Sequence, residues 1–430
     1  MVGNIAMIEN WKTYKLKDIV DQDRGVSYGI VQPGNHDSEG VPVLKINNLT
    51  NKSTDRKDLH FVSSTVEEKY LRTRLRGGEL LLSLVGSLGE VFSVPYSMKG
   101  LNVVRALAVI PVLDEFSPSW VEYWLKSPTA QNILYNIATT SVQATINLKE
   151  LREVEIPYPE KEEREAIASI LSALDDKIEL NLAMNKTLEE MAMALYKHWF
   201  VDFGPFQDGE FVDSELGLIP EGWEVKSVGD LVSLIGGYAF KGKDFEEDGE
   251  KVIKIKNIDG QIVSLNGASC VSQSIGDKTN EKFIIPPGSF LIAMTGAKVG
   301  KVGILPDYRE RVWLNQRVAM ITSPKVPNAD ILVGNFMQSA ECYAIIQNLA
   351  YGSAQPNISI TGLESIQLAW PQKVEVIKTE LDEIADWHSQ KMINVNENII
   401  LTTLRDTLLP KLISGAVRVK DIENQVAQAL

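Results

Sequence analysis

Hydrophobic positions along the chain follow two different periodicities. Short apolar runs such as Glu79–Val85 and Ser289–Thr295, bounded by Gly and Pro, are typical of buried strands that end in turns. Glu162–Trp199 contains no Gly or Pro and instead repeats apolar or small residues at alternating spacings of three and four. That spacing predicts a long helix with a coiled-coil seam. The chain is therefore expected to combine mixed α/β regions with long helices.

The sequence contains an internal repeat. A shift of 212 residues places Ile137–Pro159 over Leu349–Pro371 without a gap, and 6 of the 23 aligned positions are identical. The same shift places Arg105 over Arg317. Self-similarity of this kind indicates one structural unit used twice. We therefore expect two similar domains, each followed by a long helix.

The second helical stretch carries a poorer seam, with Lys391 and Arg405 at two of its positions, and Pro410 is expected to kink or end the helix near Leu409. A pair of Asn residues recurs in both seams. Two arrangements are open: each helix packs on its own domain, or the two helices pair with each other. We favour an antiparallel pair with the Asn residues close together, since a polar seam residue fixes register. The predicted seam residues are Leu171, Leu174, Ile178, Asn181, Asn185, Leu188, Leu195, Ile384, Asn394, Asn398 and Leu401.

These patterns predict a fold of the α+β class. It contains two mixed α/β domains, related by pseudo-twofold symmetry and joined by two long helices that form an antiparallel coiled coil. Residues 201–222 hold six acidic side chains and no Lys or Arg, which is typical of a solvated linker. The predicted segments are a first domain (1–159), a first long helix (160–203), an acidic linker (204–222), a second domain (223–372), a second long helix (373–415) and a C-terminal tail (416–430).

The net charge at first counts against nucleic acid as a partner, because neutralising phosphates requires Lys and Arg. The 430 residues carry a formal net charge of −14. Residues 1–160, however, have a net charge of only −2 and residues 223–371 of −1, whereas residues 201–222 contribute −6. The two domains are nearly neutral, so basic surfaces within them are compatible with DNA binding.

Cysteine content and hydropathy point to a cytoplasmic protein. Cys270 and Cys342 are too few for a disulfide scaffold or a thiolate zinc cluster, and they suit a reducing compartment. The N-terminus has no basic n-region, and no apolar run reaches the roughly 18 residues that a membrane helix requires. We expect neither secretion nor membrane insertion.

Motifs that carry catalysis are absent from the sequence. Gly237–Asp244 resembles a phosphate-binding P-loop, but Asp244 replaces the Ser or Thr that would hold magnesium, which favours a Gly-rich loop instead. Glu67 and Lys69 have the spacing of a nuclease pair without an identifiable partner carboxylate. The four histidines lack metal-ligand spacing. We therefore expect no catalytic residues, no metal site and no cofactor in this chain.

Two similar domains on stiff helices suggest a protein that reads a split, asymmetric ligand. A helix of about 38 residues spans about 57 Å at ~1.5 Å per residue, somewhat more than one turn of DNA. DNA is the favoured ligand, ahead of peptide or glycan. One alternative is a coiled-coil adaptor with duplicated protein-binding domains, and another is an enzyme with its own methyltransferase or nuclease activity.

Several motifs resemble the specificity subunits of type I restriction-modification systems. The signatures occur near the ends of both helices and at the opening of the second domain, and the resemblance extends over essentially the whole chain. They are Leu195–Phe206 (LYKHWFVDFGPF), Gly217–Trp223 (GLIPEGW), Gly236–Phe245 (GGYAFKGKDF) and Leu408–Val419 (LLPKLISGAVRV).

The resemblance implies a prokaryotic protein with two target recognition domains, each reading one half of a bipartite sequence in double-stranded DNA. It implies that the coiled coil sets the spacer and docks two modification subunits, and that restriction subunits complete the assembly. Such specificity subunits have no enzymatic activity. S-adenosylmethionine, ATP and magnesium are accordingly expected in the partner subunits. Whether Lys391 and Arg405 face the first helix or a partner stays open.

Candidate DNA contacts follow from chemistry and loop position. Phosphate contacts require cations, and base reading favours Arg, Lys, Asn and Gln in the major groove. For each candidate, the alternative is a surface residue or a polar group that stabilises the fold. The candidates are Arg24, Tyr28, Lys45, Asn47, Lys69, Arg72 and Arg74 in the first domain, and Tyr238, Lys241, Lys254, Lys256, Lys298, Lys301 and Gln316 in the second.

Overall fold

A computed structural model describes residues 11–50, 54–139, 144–350 and 356–420. The chain divides into two compact units. Unit 1 contains Met1–Lys177 and Leu401–Leu430, and unit 2 contains Ile178–Ile400. Within the described residues, no helix combines the length and the apolar character needed to cross a membrane.

Unit 1 is built from short strands and helices. Its two larger sheets have the strand orders 2-8-5-6 and 4-3-7, numbered along the chain. The strands are β1 (Lys12–Lys15), β2 (Ser27–Tyr28), β3 (Val41–Leu44), β4 (His60–Val62), β5 (Leu80–Ser83), β6 (Val91–Ser93), β7 (Asn102–Val103), β8 (Leu107–Ile110), β9 (Ala138–Thr139), β10 (Thr145–Ile146) and β11 (Glu155–Tyr158). The α-helices are α1 (Ile46–Thr50), α2 (Ser64–Glu67), α3 (Pro118–Lys126), α4 (Pro128–Ile137), α5 (Leu148–Arg152) and α6 (Lys161–Tyr196).

The alternation of side chains along β5 organises the core of unit 1. Leu80 and Leu82 belong to the core cluster formed with α3 and α4, whereas Leu81 belongs to a second cluster formed with the three-stranded sheet. Successive side chains of a strand point to opposite faces, so the all-apolar run is explained by burial on both faces. Trp120 and Trp124 of α3 are fully buried in the first cluster.

Unit 2 repeats this plan. Its two four-stranded sheets have the orders 15-22-19-20 and 16-18-17-21. The strands are β12 (Phe211–Ser214), β13 (Gly217–Pro220), β14 (Trp223–Ser227), β15 (Val232–Gly236), β16 (Phe245–Glu246), β17 (Glu250–Ile253), β18 (Ser269–Val271), β19 (Phe290–Ala293), β20 (Val302–Ile304), β21 (Val312–Leu314), β22 (Val318–Pro324) and β23 (Gln367–Pro371). The α-helices are α7 (Val228–Leu231), α8 (Gln273–Gly276), α9 (Ala329–Gln338), α10 (Ala340–Leu349), α11 (Ile360–Glu364) and α12 (Lys378–Ile413).

Strand β19 of unit 2 corresponds to β5 of unit 1. Phe290 and Ile292 lie in the core cluster formed with α9 and α10, and Leu291 and Ala293 lie in the cluster on the opposite face. The same two-sided burial therefore recurs, as the internal repeat predicts. The predicted mixed α/β character of both domains is confirmed.

The predicted acidic linker (204–222) contains an ordered hairpin, and its acidic side chains are exposed as predicted. β12 and β13 form an antiparallel hairpin within it. Ile219 is buried in the core of unit 2, and Phe206 and Phe211 pack against that core. The acidic side chains determined the sequence prediction, but the interspersed aromatic residues pack against this core and hold the segment in an ordered position.

Within unit 2, the C-terminal part of α6 pairs with the N-terminal part of α12. Asn181 Nδ2 donates to Asn398 Oδ1 at 2.9 Å, and Asn394 Nδ2 donates to Asn185 Oδ1 at 2.9 Å. Since higher numbers on one helix meet lower numbers on the other, the pair is antiparallel. The predicted proximity of the Asn residues is confirmed.

Other seam residues of unit 2 support the same register. Lys391 is almost completely buried and forms an ion pair with Glu189 at 2.7 Å, so it faces the first helix. Ile384 is buried in the core of unit 2, and Leu195 packs against it. Ile178 and Leu188 are half-buried.

Within unit 1, the N-terminal part of α6 pairs with the C-terminal part of α12. Leu171 shares a core cluster with Leu412, and Arg405 forms an ion pair with Asp175 at 2.8 Å. Arg405 therefore also faces the first helix. The remaining predicted seam residues of this unit, Leu174 and Leu401, are half-buried.

Helix α12 does not end at Leu409. It runs through Pro410 to Ile413, and Leu409 and Leu412 are both buried in the core of unit 1. A proline removes one backbone hydrogen bond, and burial of the flanking leucines offsets that loss. The predicted fold class, with two mixed α/β domains and paired long helices, is confirmed.

Candidate nucleic-acid interface

The site in unit 1 lies where two parallel strands end side by side. β3 and β7 pair in parallel, with Leu44 opposite Val103, and the Val104 N–H donates to the Leu44 oxygen at 3.1 Å. Parallel strands bring their carboxyl ends to one edge, where α/β sheets commonly bind ligands. Lys45 and Arg105 follow the two strands, and both are exposed.

Unit 2 builds the same edge. β17 and β21 pair in parallel, with Ile253 opposite Leu314, and the Asn315 N–H donates to the Ile253 oxygen at 3.1 Å. Lys254 and Gln316 follow the two strands. Lys45 with Arg105, and Lys254 with Gln316, are called the strand-end sites below.

Glycines allow a neighbouring loop to reach each strand end. A Cβ on Gly29 would overlap the Val103 carbonyl oxygen, and a Cβ on Gly237 would overlap the Leu314 carbonyl oxygen. Only glycine permits such close backbone contact. Gly237 opens the segment that resembles a P-loop, and there it allows close backbone packing beside β21.

Aromatic side chains lie beside both strand ends. Tyr28 is 44% exposed, and the Arg105 guanidinium lies 5.9 Å from its ring centroid. Tyr238 is 40% exposed and packs edge-on against Phe240, with the ring centroids 4.9 Å apart. Exposed rings next to cations are suited to contact with nucleotides.

Most of the remaining predicted contacts are exposed. Asn47 lies on α1, two residues after Lys45, and Lys69 and Arg72 lie on a 3₁₀ segment, Glu68–Thr73, that contacts β2. In unit 2, Lys241 directly precedes the 3₁₀ segment Gly242–Asp244 and Lys256 lies on the 3₁₀ segment Ile255–Asn257; both are exposed. The cationic candidates among them stay proposals for phosphate contact.

Arg24 is a correction to the predicted set. It is only 5% exposed and forms an ion pair with Glu79 at 2.6 Å. Its guanidinium also donates to the carbonyl oxygens of Arg72 and Arg74, both at 3.0 Å. Because all of these partners lie within unit 1, Arg24 holds the 72–77 loop in place and has no free face for DNA.

Arg74 is also occupied by the fold. It donates from Nε to Oε1 of the fully buried Glu67 at 2.8 Å and makes a second contact with Oε2. This hydrogen bonding lowers the pKa of Glu67 and raises that of Arg74. Removing Arg74 would leave a buried carboxylate without a cation. The Arg74 side chain is 44% exposed, so phosphate contact by Arg74 stays a prediction.

Three lysines of unit 2 have partners of their own. Lys298 and Lys301 lie 2.8 and 3.5 Å from Asp259, and Lys298 in particular lowers the pKa of that carboxyl. Lys254 Nζ lies 3.4 Å from the Phe245 ring centroid, and burial, with a smaller effect from Lys256, lowers its pKa. Within the described ranges, no carboxylate lies within 4.0 Å of Lys254.

Arg105 is the residue that the sequence prediction missed. A shift of 212 places it over Arg317, but the hydrogen bonds give a different register. The Arg105 N–H donates to the Ile30 oxygen at 2.9 Å, and the Gln316 N–H donates to the Tyr238 oxygen at 3.0 Å. Arg105 thus corresponds to Gln316.

The described residues of these sites do not form a metal-binding cluster. Across residues 11–50, 54–139, 144–350 and 356–420, no group of three or more His, Cys, Asp or Glu side chains is placed to hold a metal ion. What the strand-end sites offer is exposed cations, amides and aromatic rings.

Known proteins share this architecture and sequence. The S subunit of a type I restriction-modification system from M. genitalium has the same fold, with a TM-score of 0.61 at 14% identity over 95% of this chain and 98% of that one. The MjaIX specificity subunit of Methanocaldococcus jannaschii is 26% identical over 98% of this chain and 96% of its own length. The HindI specificity subunit of Haemophilus influenzae is 24% identical over 95% of this chain and 100% of its own length.

A family match covers most of the chain and coincides with its duplication. The family is described as the type I restriction modification DNA specificity domain, and it matches residues 8–190 and again residues 220–397. Each match contains one strand-end site. The chain therefore belongs to the type I restriction-modification DNA specificity family and carries two copies of its domain.

Proposed function

We propose that this chain is the sequence-reading subunit of a type I restriction-modification complex. Each domain reads one half of a bipartite, asymmetric target in double-stranded DNA. The observation that carries the proposal is the duplicated strand-end site, which presents an exposed or aromatic-stacked lysine, a second polar side chain and a tyrosine in each unit. Phosphate contacts through lysine position the protein, and the other side chains read bases.

The long helices supply the spacer in this proposal. α6 and α12 have 36 residues each, which corresponds to about 54 Å at ~1.5 Å per residue. That length exceeds the ~34 Å of one DNA turn. In this proposal, the helices set the distance between the two half-sites.

Modification subunits are the proposed partners of the helices in unit 2. Leu180, Met184 and Met191 recur at spacings of four and seven on α6, and all are exposed. Ile393 and Ile400 are exposed at a spacing of seven on α12. Apolar side chains aligned on solvent-facing helices are typical of protein interfaces. We assign them to two modification subunits, with restriction subunits joining the assembly.

Catalysis is assigned to those partners. In this proposal the chain is non-catalytic, and S-adenosylmethionine, ATP and magnesium bind the modification and restriction subunits. The family match supports this division, since the relatives are named as specificity subunits. The complex acts on cellular DNA, so we place it in the cytoplasm of a prokaryote.

Selection from randomised DNA duplexes tests the proposal. The chain, assembled with its modification subunits, is expected to enrich one motif with two specified segments and a spacer of fixed length. Scrambling either segment should abolish specific binding, while changing the spacer sequence at constant length should have no effect. If no duplex is enriched, the coiled-coil adaptor with protein-binding domains becomes the better account.

A further inference from the structure

The two strand-end sites have the same backbone hydrogen bonds. The Lys45 N–H donates to Asn48 Oδ1 at 2.9 Å, and the Lys254 N–H donates to Asn257 Oδ1 at 3.1 Å. The residues that follow β7 and β21 make equivalent hydrogen bonds. The Val104 N–H donates to the Leu44 oxygen and the Asn315 N–H to the Ile253 oxygen, both at 3.1 Å. A side chain at one site therefore starts from the same local backbone geometry as its counterpart.

The second residue of each site is fixed by the same two neighbours. The N–H groups of Arg105 and Gln316 donate to the loop oxygens of Ile30 and Tyr238. Two residues later, Leu107 and Val318 each donate at 2.9 Å back to the residue before Arg105 or Gln316. This tight turn presents Arg105 and Gln316 at one equivalent position.

One position is chemically constant and the other varies. Both units have lysine at the end of the first strand, and lysine contacts with phosphate carry no sequence information. The second position is Arg105 in unit 1 and Gln316 in unit 2. Arginine makes two hydrogen bonds with O6 and N7 of guanine, and glutamine makes two with N6 and N7 of adenine. A repeat that must read two different half-sites requires this kind of variation.

Within the described residues, the side chains of Arg105 and Gln316 have no ion-pair or hydrogen-bond partner in the protein. Both side chains are exposed. Among the described residues, no carboxylate lies within 4.0 Å of the Arg105 guanidinium, which lies over the Tyr28 ring. The Gln316 side-chain amide likewise has no hydrogen-bond partner in the described part of the chain. Contrast Arg24 and Arg74, whose guanidinium groups are bound to buried carboxylates.

We infer that Arg105 reads a guanine in the first half-site and that Gln316 reads an adenine in the second, with Lys45 and Lys254 on the flanking phosphates. The inference rests on the proposed function and adds the specificity-determining residue of each domain. Replacing one reader by the other should exchange the preferred base in one half-site only.

The test compares four assembled complexes in a duplex selection: the natural chain, Arg105→Gln, Gln316→Arg and the control Arg317→Gln. Arg317 is exposed like Gln316 and lies next to it, but it corresponds to Ala106, since the carbonyl oxygens of Ala106 and Arg317 accept equivalent hydrogen bonds. Arg105→Gln is expected to change one guanine of the first half-site to adenine, with roughly 10- to 100-fold discrimination. Gln316→Arg is expected to make the reverse change in the second half-site.

The outcomes separate the inference from the proposed function. A bipartite motif that stays identical in both reader variants, or a base change produced by Arg317→Gln alone, overturns the assignment of Arg105 and Gln316 while leaving the bipartite function intact. A natural chain that enriches no bipartite motif overturns the proposed function itself. If a variant enriches no motif, its affinity is measured for four duplexes that differ only in the base at the affected position. Equal loss for all four contradicts base reading, and loss confined to the original base supports it.

Discussion

The two units share a backbone plan but stabilise it differently. Unit 1 fixes its 72–77 loop with a buried ion pair, Arg24 with Glu79. At the position of Glu79 the repeat has Ser289 in unit 2. The hydrogen bonds at the strand ends are the same in both units, so the shared frame does not depend on any one internal contact. The side chains of the strand-end sites can therefore change in evolution without changes in the core. This suits a protein whose two halves read different sequences.

The largest expected effect is on the stability of unit 1. Arg24→Ala should lower its free energy of unfolding by about 3–5 kcal/mol, because Glu79 would stay buried without a cation. Hydrogen exchange of unit 1 peptides in the full chain measures this effect. The exposed control Arg72→Ala should change stability by less than about 0.5 kcal/mol. The double variant Arg24→Met with Glu79→Gln should recover much of the loss, and failure to recover would contradict the ion-pair account.

The helix pair offers a second contrast, between its polar layer in unit 2 and its apolar layer in unit 1. Asn394→Leu should destabilise unit 2 by about 1–3 kcal/mol, because Asn185 Oδ1 loses its donor inside the seam. Chemical denaturation monitored by exchange in unit 2 checks the value. Replacing both Asn185 and Asn394 by Leu should restore stability or raise it. A double variant less stable than the single one would show that the polar layer is itself favourable.

Acid should weaken unit 2 through a buried histidine. His388 stacks on Phe290, and burial lowers its pKa to about 4 from the ordinary value of 6.5. Between these values the unfolded state binds more protons than the folded state, so stability falls as pH decreases from 6.5 toward 4, by up to about 1.4 kcal/mol per pH unit. Asp175, the residue at this repeat position in unit 1, is half-buried and pairs with Arg405.

Unfolding of the full chain at several pH values, followed by exchange in unit 2, measures that slope. His388→Phe should flatten the slope between pH 6.5 and 4 without changing the behaviour of unit 1. An unchanged slope in this variant would show that the acid response of unit 2 has another source.

The smallest expected effect concerns the lysines that the two sites share. Lys45→Ala and Lys254→Ala, each in the assembled complex, should weaken binding for all sequences and reduce the log–log salt slope by about 0.9. Duplex binding at several salt concentrations measures both quantities. Lys226, which pairs with Glu224 at 3.0 Å, provides the control Lys226→Ala with no expected change in slope. A change of preferred base in either variant would show that the lysine reads a base and would contradict its assignment to phosphate contact.

The sequence predicted the features that follow from periodic patterns. The repeat, the two long helices and the contact between their Asn residues all depend on regular spacing, which survives without knowledge of tertiary contacts. Lys391 and Arg405 did not fit an apolar seam, because their partners, Glu189 and Asp175, lie on α6, which is far from α12 in the sequence. Charge complementarity across the pair explains both.

The site was predicted less well because the local sequence does not determine which basic side chains are exposed. Arg24 and Arg74 are basic loop residues like Arg72, and only the fold shows that carboxylates bury or bind their guanidinium groups. Arg105 was missed because the constant shift of 212 ignores a one-residue difference between the units. The strand-end hydrogen bonds correct that register, and the correction identifies Gln316 as its counterpart.

Mapping methylated bases in the host genome, with and without this gene, tests the central claim most directly. The chain is proposed to direct modification to one bipartite, asymmetric target that its two domains read half by half. The predicted result is a single motif of two specified segments with a fixed spacer, which is methylated when the gene is present and unmethylated when it is deleted. Methylation that is the same in both strains would contradict the account. So would loss of methylation, on deletion of the gene, at a motif that has only one specified segment.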